Sequence, residues 1–226
     1  MEIITGRQGS GKTTLMYKKI AALKKGERVF VIVPEQYTYI AERQLFDRLG
    51  VDATSEISVI SLNRLAHKLT GTGSESLMNV LTDESRNIII RYIISQNAEK
   101  LRAFGSVCDR SGFAENVGVI FGEIIKNGIT PQRLQEAGEK SSDDLLRAKL
   151  GDMKLLYESY ISKLGDEFAD KDTFLVKCSE FVRGSKLVEG AHFFFDDFVS
   201  FDKSDYEFIS AIMETAASCC FCLTHA

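Results

Sequence analysis

Residues 1–19 read MEIITGRQGSGKTTLMYKK, and the fold turns on how they are read. Glu2-Ile3-Ile4-Thr5 is a short apolar run of strand type, and Thr14 to Leu23 carry helical spacing. Between them, Gly6-Arg7-Gln8-Gly9-Ser10-Gly11-Lys12-Thr13 fits the pattern G-x-x-x-x-G-K-[ST]. Glycines let a backbone curl until several N–H groups face one anion. A helix that starts there adds its own uncapped N–H groups and the positive end of its dipole. The nine residues Gly6 through Thr14 are therefore expected to cradle the phosphates of a nucleotide. Lys12 would reach the β- and γ-phosphates, and the Thr13 hydroxyl would hold magnesium. The expected cofactors are ATP and Mg²⁺.

Outward from the loop, strand and helix signals alternate. RVFVIV (28–33) is a second apolar strand run ended by Pro34, and EQYTYIAERQLFDRL (35–49) gives a loop leading into an amphipathic helix. Ile57–Ser61 reads as a third strand, followed by a helix from about Asn63. Gly71-Thr72-Gly73-Ser74 marks a loop. This alternation is the signature of a parallel α/β sheet. From about Ser76 to Val188 strand signals nearly vanish, and amphipathic helices follow one another. Thr82 or Asp83 is a fitting N-cap for one of them, Asn127-Gly128 a stop, and Pro131 a first helical position. Strand patterns return at AHFFFDDF (191–198) and SCCFCLTHA (218–226), around the helix KSDYEFISAIMETA. The expected architecture is an α/β, RecA-like P-loop NTPase domain over 1–75 and 190–226, interrupted by an all-helical insert over 76–189. A bare central strand at the end leads one to expect that the parent polypeptide continues past 226.

HFFFDDF supplies a second chemical motif. Parallel sheets of this kind place an acidic residue at the carboxyl end of a strand near the phosphate loop. Asp196 fits the magnesium-side carboxylate. Asp197 stands where many NTPases carry a glutamate that aligns the attacking water, and is the candidate catalytic carboxylate beside Lys12. Aspartate is one methylene shorter than glutamate, and catalysis is sensitive to displacements of about 1 Å. The loop is therefore expected to bind ATP while the chain alone hydrolyses it only weakly.

The 226 residues carry a formal net charge of −4, which argues against a free-standing, non-specific DNA binder but leaves room for a groove with local contacts. No apolar run approaches the roughly 20 residues of a membrane span. The N-terminus runs directly into the loop strand, so no signal peptide is expected. Cys108, Cys178, Cys219, Cys220 and Cys222 lack zinc-type pairing with histidines and are expected to be buried thiols. A cytoplasmic location and no membrane partner are expected.

With these pieces placed, the chain resembles the N-terminal region of the B subunit of AddAB/RexAB-type ATP-dependent helicase/deoxyribonucleases, which have a UvrD-like superfamily-1 helicase fold. The segments carrying the resemblance are GRQGSGKT (6–13), VPEQYTYIAERQL (33–45), VISLNRLAHKL (59–69), LLYESYISKL (155–164) and FFFDDFVSFDKSDYEFI (193–209). It runs over essentially the whole chain, and its specificity lies in order and spacing. The resemblance implies a heterodimer with the A subunit, the main motor, that resects double-strand breaks for recombination. The B subunit would have little or no motor activity, and its helicase-like channel would scan single-stranded DNA for the Chi sequence. A second RecA-like domain and a nuclease domain with an iron–sulfur cluster follow in the family; neither is present here, so no cluster ligand or nuclease residue is assigned.

By resemblance, Gln36, Thr38, Leu62, Arg64, His67 and one of Phe198 and Phe201 match positions the family uses to read Chi. Their chemistry suits single strands. Gln36 and Thr38 can hydrogen-bond base edges, Arg64 can hold phosphate or stack, and His67, Phe198 and Phe201 can stack on bases. Leu62 cannot stack as the aromatics of other members do. Two other readings stay open. One is an autonomous P-loop phosphotransferase whose helical stretch, with Arg86, Arg91, Arg102, Arg110 and Arg133, acts as a lid. The other is a structural nucleotide-binding scaffold.

Overall fold

The computed structural model describes residues 1–50, 57–71 and 77–224. Thr72, Gly73 and Ser74 of the expected loop lie outside the described residues. The chain divides into two compact units: Met1–Ser76 with Leu175–Phe201 and Asp205–Ala226, and Leu77–Phe174 with Asp202–Ser204. Among the described residues no helix is long and apolar enough to cross a membrane.

The first unit is built on a five-stranded, wholly parallel sheet. Its strands are β1 (Glu2–Gly6), β2 (Val29–Ile32), β3 (Ile57–Ile60), β6 (His192–Phe195) and β7 (Ser218–Thr224), in the spatial order β1-β7-β6-β2-β3. Every residue of β2 is buried, as a central parallel strand covered on both faces requires. Aromatic side chains stack across the strands. Phe30 lies 5.0 Å from Phe193, and Phe195 lies 4.4 Å from Phe221, ring centre to ring centre. Helix α1 (Lys12–Ala21) lays Met16, Tyr17 and Ile20 into a core with Ile4, Val31, Phe194 and Cys222. Helix α2 (Thr38–Leu49) adds Ala41 and Leu45 to it. Helix α3 (Leu62–Thr70) is capped by Ser61, whose hydroxyl accepts from the Arg64 N–H. The cysteines of β7 are free and buried; burial pushes the Cys219 thiol up to about 11 and Cys222 to about 12, which makes them inert core residues.

The second unit is helical apart from one small feature. Helices α4 (Asp83–Asn97), α5 (Phe113–Lys126), α6 (Pro131–Lys140) and α7 (Asp144–Leu164) pack around Ile90, Ile94, Phe121, Leu156 and Tyr160. Thr82, Thr130 and Asp143 cap α4, α6 and α7. The stretch is not free of strands, however. β4 (Asn79–Val80) and β5 (Phe168–Ala169) form a parallel pair. Two residues per strand carry no readable period, which is why the sequence reads as all-helical there. Helix α8 (Phe174–Val182) begins at the end of this unit, and from Leu175 its residues belong with the sheet, as does α9 (Lys203–Thr215) from Asp205 onward.

Charge is buried in the second unit. The Arg86 guanidinium lies 2.9 Å from the Asp170 carboxylate and 3.0 Å from that of Asp172, and donates to the Gly118 carbonyl at 2.8 Å. The Tyr160 hydroxyl donates to Asp170. Arg86 thus joins α4, α5 and the segment after β5. A buried pair of this kind stabilises little against an apolar replacement, but breaking it strands the remaining charge. Arg86→Met should therefore lower the unfolding free energy by about 3–5 kcal/mol. Adding Asp170→Asn should recover part of that loss. Urea denaturation of the single and double variants checks both; a single variant within about 0.5 kcal/mol of wild type, the ordinary effect of a surface change, would show that the cluster contributes nothing.

Candidate functional site

The glycine loop joins β1 to α1. Gly9 and Gly11 have φ of +77° and +89°, where a side chain is strained, and a Cβ on Gly6 would sit 2.4 Å from the Ser10 hydroxyl. The Ser10 N–H donates to the Arg7 carbonyl at 3.1 Å, closing the turn. Gly11 is the N-cap of α1, so no side chain caps the helix, and its first turn holds no acidic residue. The first N–H groups of α1 therefore face outward with the positive end of the helix dipole. Lys12 curls back over the loop, its ammonium donating to the Gly6 and Arg7 carbonyls at 3.0 and 2.9 Å. Arg7, Gln8 and Ser10 are exposed.

β6 ends at the acidic pair. Asp196 is buried, and its N–H donates to the Ile32 carbonyl at 3.0 Å, extending the ladder with β2. Its carboxylate accepts from the Asp197 N–H at 3.0 Å and is hydrogen-bonded to the Thr13 side chain. Burial raises the Asp196 carboxyl above its ordinary range, and the Thr13 hydrogen bond opposes that rise. The sheet thus brings together Thr13, at the start of the helix that follows β1, and Asp196, just after β6, although β7 separates the two strands. Asp197 is exposed and has φ of +60°, the left-handed region, which aspartate tolerates better than most residues.

Two residues beside the loop escape sequence reasoning. Tyr17 donates its hydroxyl to the Ala41 carbonyl at 3.2 Å, and burial, helped by the charge of Asp196, pushes its phenol up to about 12. Arg48, at the end of α2, donates to the Thr14 hydroxyl at 2.9 Å and lies 5.5 Å from the Tyr17 ring centre. In sequence Arg48 is an ordinary basic residue in a last helical turn; nothing signals a partner 34 residues away.

The remaining candidates fall into two groups. Gln36 lies in a 3₁₀ turn (Glu35–Tyr37) after β2, and Thr38 opens α2 with its hydroxyl donating to the Glu35 carbonyl at 2.9 Å. Arg64 and His67 lie on the exposed face of α3. Leu62 does not join them. It is buried with Leu65 and Ala66 on the opposite face of the helix. Phe198 and Phe201 pack together at 4.6 Å and line a groove of about 520 Å³ with Met1, Ile3, Tyr206 and Met213. Among the described residues, no side chain lining that groove is charged.

These features define a parallel α/β protein that presents a glycine-rich loop, an uncapped helix start and a buried acidic strand end on one sheet. The family model described as ADDB, N-terminal matches residues 3–226, and the chain belongs to that family. Similar curated proteins are named as the B subunit of an ATP-dependent helicase/deoxyribonuclease. That of Geobacillus thermodenitrificans is 30% identical over 99% of this chain and 20% of its own length. That of Caldanaerobacter subterraneus subsp. tengcongensis is 28% identical over 99% and 20%, and that of Clostridium tetani 24% identical over 91% and 18%. The chain thus spans about a fifth of the length of these relatives.

Because the Asp196 carboxyl is raised, folding favours its protonated form, and the ionised residue detracts from stability near neutral pH. Asp196→Asn keeps an oxygen for Thr13 and the Asp197 N–H while removing the charge. The variant should be more stable than wild type at about pH 7, within the roughly 0.5–2 kcal/mol of typical stabilising substitutions. The advantage should shrink as the pH falls through the raised range of the folded carboxyl toward the ordinary aspartate value of about 4. Denaturation curves at both pH values check this; a less stable variant at neutral pH would show that the partners of Asp196 more than offset its burial.

Proposed function

We propose that the chain is the ATP-binding, helicase-like N-terminal module of the B subunit of a helicase–nuclease, a RecA-like P-loop domain interrupted by a helical insert. The observation that carries this reading is the hydrogen bond between Thr13 and Asp196 beside the open glycine loop. Hydroxyl and carboxylate oxygens meeting next to an uncapped helix start are the donor set a phosphate-bound Mg²⁺ needs. Strand order supports it too, since β7 lies between the loop strand and the acidic strand while all run parallel. The membership in the ADDB N-terminal family and the names of the relatives support the larger assembly.

In this reading the loop N–H groups and Lys12 hold the phosphates, and Thr13 with Asp196 holds the metal, which would neutralise charge on the phosphate oxygens. Lys12 leaves the Gly6 and Arg7 carbonyls to do so. Asp197 is the carboxylate for the attacking water, but it is short and exposed. Rapid hydrolysis further needs a cation on the transition state, worth about 10³–10⁵ in rate. The resemblance puts that arginine on a second RecA-like domain. The nucleotide therefore acts here mainly as a structural or signalling ligand, with weak or no motor activity. Gln36, Thr38, Arg64 and His67 contact single-stranded DNA at the carboxyl ends of β2 and β3, and Phe198 or Phe201 adds a stacking platform for scanning Chi. The partner is the A subunit and the location cytoplasmic.

Calorimetry with ATP–Mg²⁺ tests the nucleotide site. Lys12→Ala removes the cation that meets the β- and γ-phosphates, and affinity should fall by about tenfold or more, the scale of a lost charge-assisted bond, with the melting curve retained. Equal affinities would contradict the assignment. In the full complex, Gln36→Ala should weaken the response to Chi more than unwinding, because base-reading contacts set sequence choice. An unchanged Chi response when Gln36, Thr38, Arg64 and His67 are all alanine would make these positions purely structural.

A further inference from the structure

Arg64 is not free to meet a phosphate. Its guanidinium lies 3.0 Å from one oxygen of the Glu35 carboxylate, and the other oxygen accepts from the Ser61 hydroxyl. Ser61 in turn takes the Arg64 N–H at 3.3 Å as the cap of α3. The acid is held in place from its own side as well. The Tyr37 N–H donates to the Pro34 carbonyl at 2.9 Å, and the Thr38 hydroxyl to the Glu35 carbonyl at 2.9 Å, so the turn that carries Glu35 is closed on both sides of it. Glu35 therefore presents its negative charge between Gln36 and Thr38 on one element and Arg64 on another, in the middle of the surface proposed above to meet single-stranded DNA.

We propose that Glu35 is a specificity-determining residue of that surface: its carboxylate competes with nucleic-acid phosphate for Arg64. The inference rests on the single-strand reading given under the proposed function. Both side chains of the pair are more than half exposed, at 59% and 54%, so an incoming anion reaches Arg64 without opening the core. Exposed pairs contribute little stability, so exchange of partners is easy. The carboxylate nevertheless has to be displaced before Arg64 takes the phosphate. Phosphate contacts carry no sequence information, whereas base contacts do. A carboxylate that weakens the phosphate contact lowers affinity for every sequence alike. It leaves Gln36, Thr38 and His67 to decide which strands are held, which is what a scanning surface requires.

Glu35→Gln is the informative variant, because the amide oxygen still accepts from Ser61 while the charge is gone. The probe is a fluorescent oligo-dT, which offers phosphates and no chosen sequence, with anisotropy measured on the chain over a series of salt concentrations. Glu35→Gln should bind about fivefold tighter than wild type, the upper end of what an exposed ion pair that competes for Arg64 withholds from the phosphate. The slope of log affinity against log salt should steepen by about 0.7, one added single-strand phosphate contact. The double variant Glu35→Gln/Arg64→Ala should fall back to the level of Arg64→Ala alone. If wild type binds oligo-dT and Glu35→Gln binds no better, or if the gain survives in the double variant, the competition is refuted and Glu35 merely pins the turn to α3. If neither wild type nor Glu35→Gln binds at low salt, the single-strand reading falls together with this inference, and the nucleotide site stands untouched.

Discussion

The hydrogen bond between Thr13 and Asp196 is the contact on which the arrangement of the site depends. The two residues are far apart in sequence: Thr13 lies at the start of α1, which follows β1, and Asp196 lies just after β6, two strands separated in the sheet by β7. For them to meet, β1, β7 and β6 must run parallel and in register, with Glu2 opposite Cys220 and Phe193 opposite Cys219. That register is fixed by side chains buried together on one face, among them Ile4, Cys220, Cys222 and Phe194. A slip of one residue would turn those side chains to the other face and carry Asp196 away from the loop. The packing of the sheet and the geometry of the loop are one constraint.

The same site shows where stability has been given up. Asp196 is buried with a raised carboxyl, Asp197 takes a left-handed backbone, and α1 starts without a cap. Each departs from what a purely structural sequence would choose, and all three sit at the carboxyl ends of the strands around one loop. The second unit is built differently: its buried charges are matched, Arg86 against Asp170 and Asp172, and Asp152 against the N–H groups of Arg102, Ala103 and Phe104.

Much of the sheet was legible. VFVI is a continuous apolar run closed by Pro34, and HFFF ends abruptly in two acids, so both strands and the parallel α/β class follow from pattern alone. The β4–β5 pair was not legible, because two residues have no period. The burial of Leu62 was readable in principle: Leu62, Leu65 and Ala66 are spaced as one helix face, and Arg64 and His67 as the other. Partnerships across long sequence separations carried no signal. Arg48 with Thr14, and Glu35 with Ser61 and Arg64, join residues on different elements that only the folded sheet brings together.

On the proposed function, the loop holds ATP without rapidly hydrolysing it. Single-turnover hydrolysis of ATP by the purified chain, with and without single-stranded DNA, tests this most directly. The account predicts bound nucleotide and a rate far below about 1 s⁻¹, the low end for working enzymes, under both conditions. A rate at or above that value, abolished by Asp197→Asn, would contradict it and make Asp197 a working catalytic base.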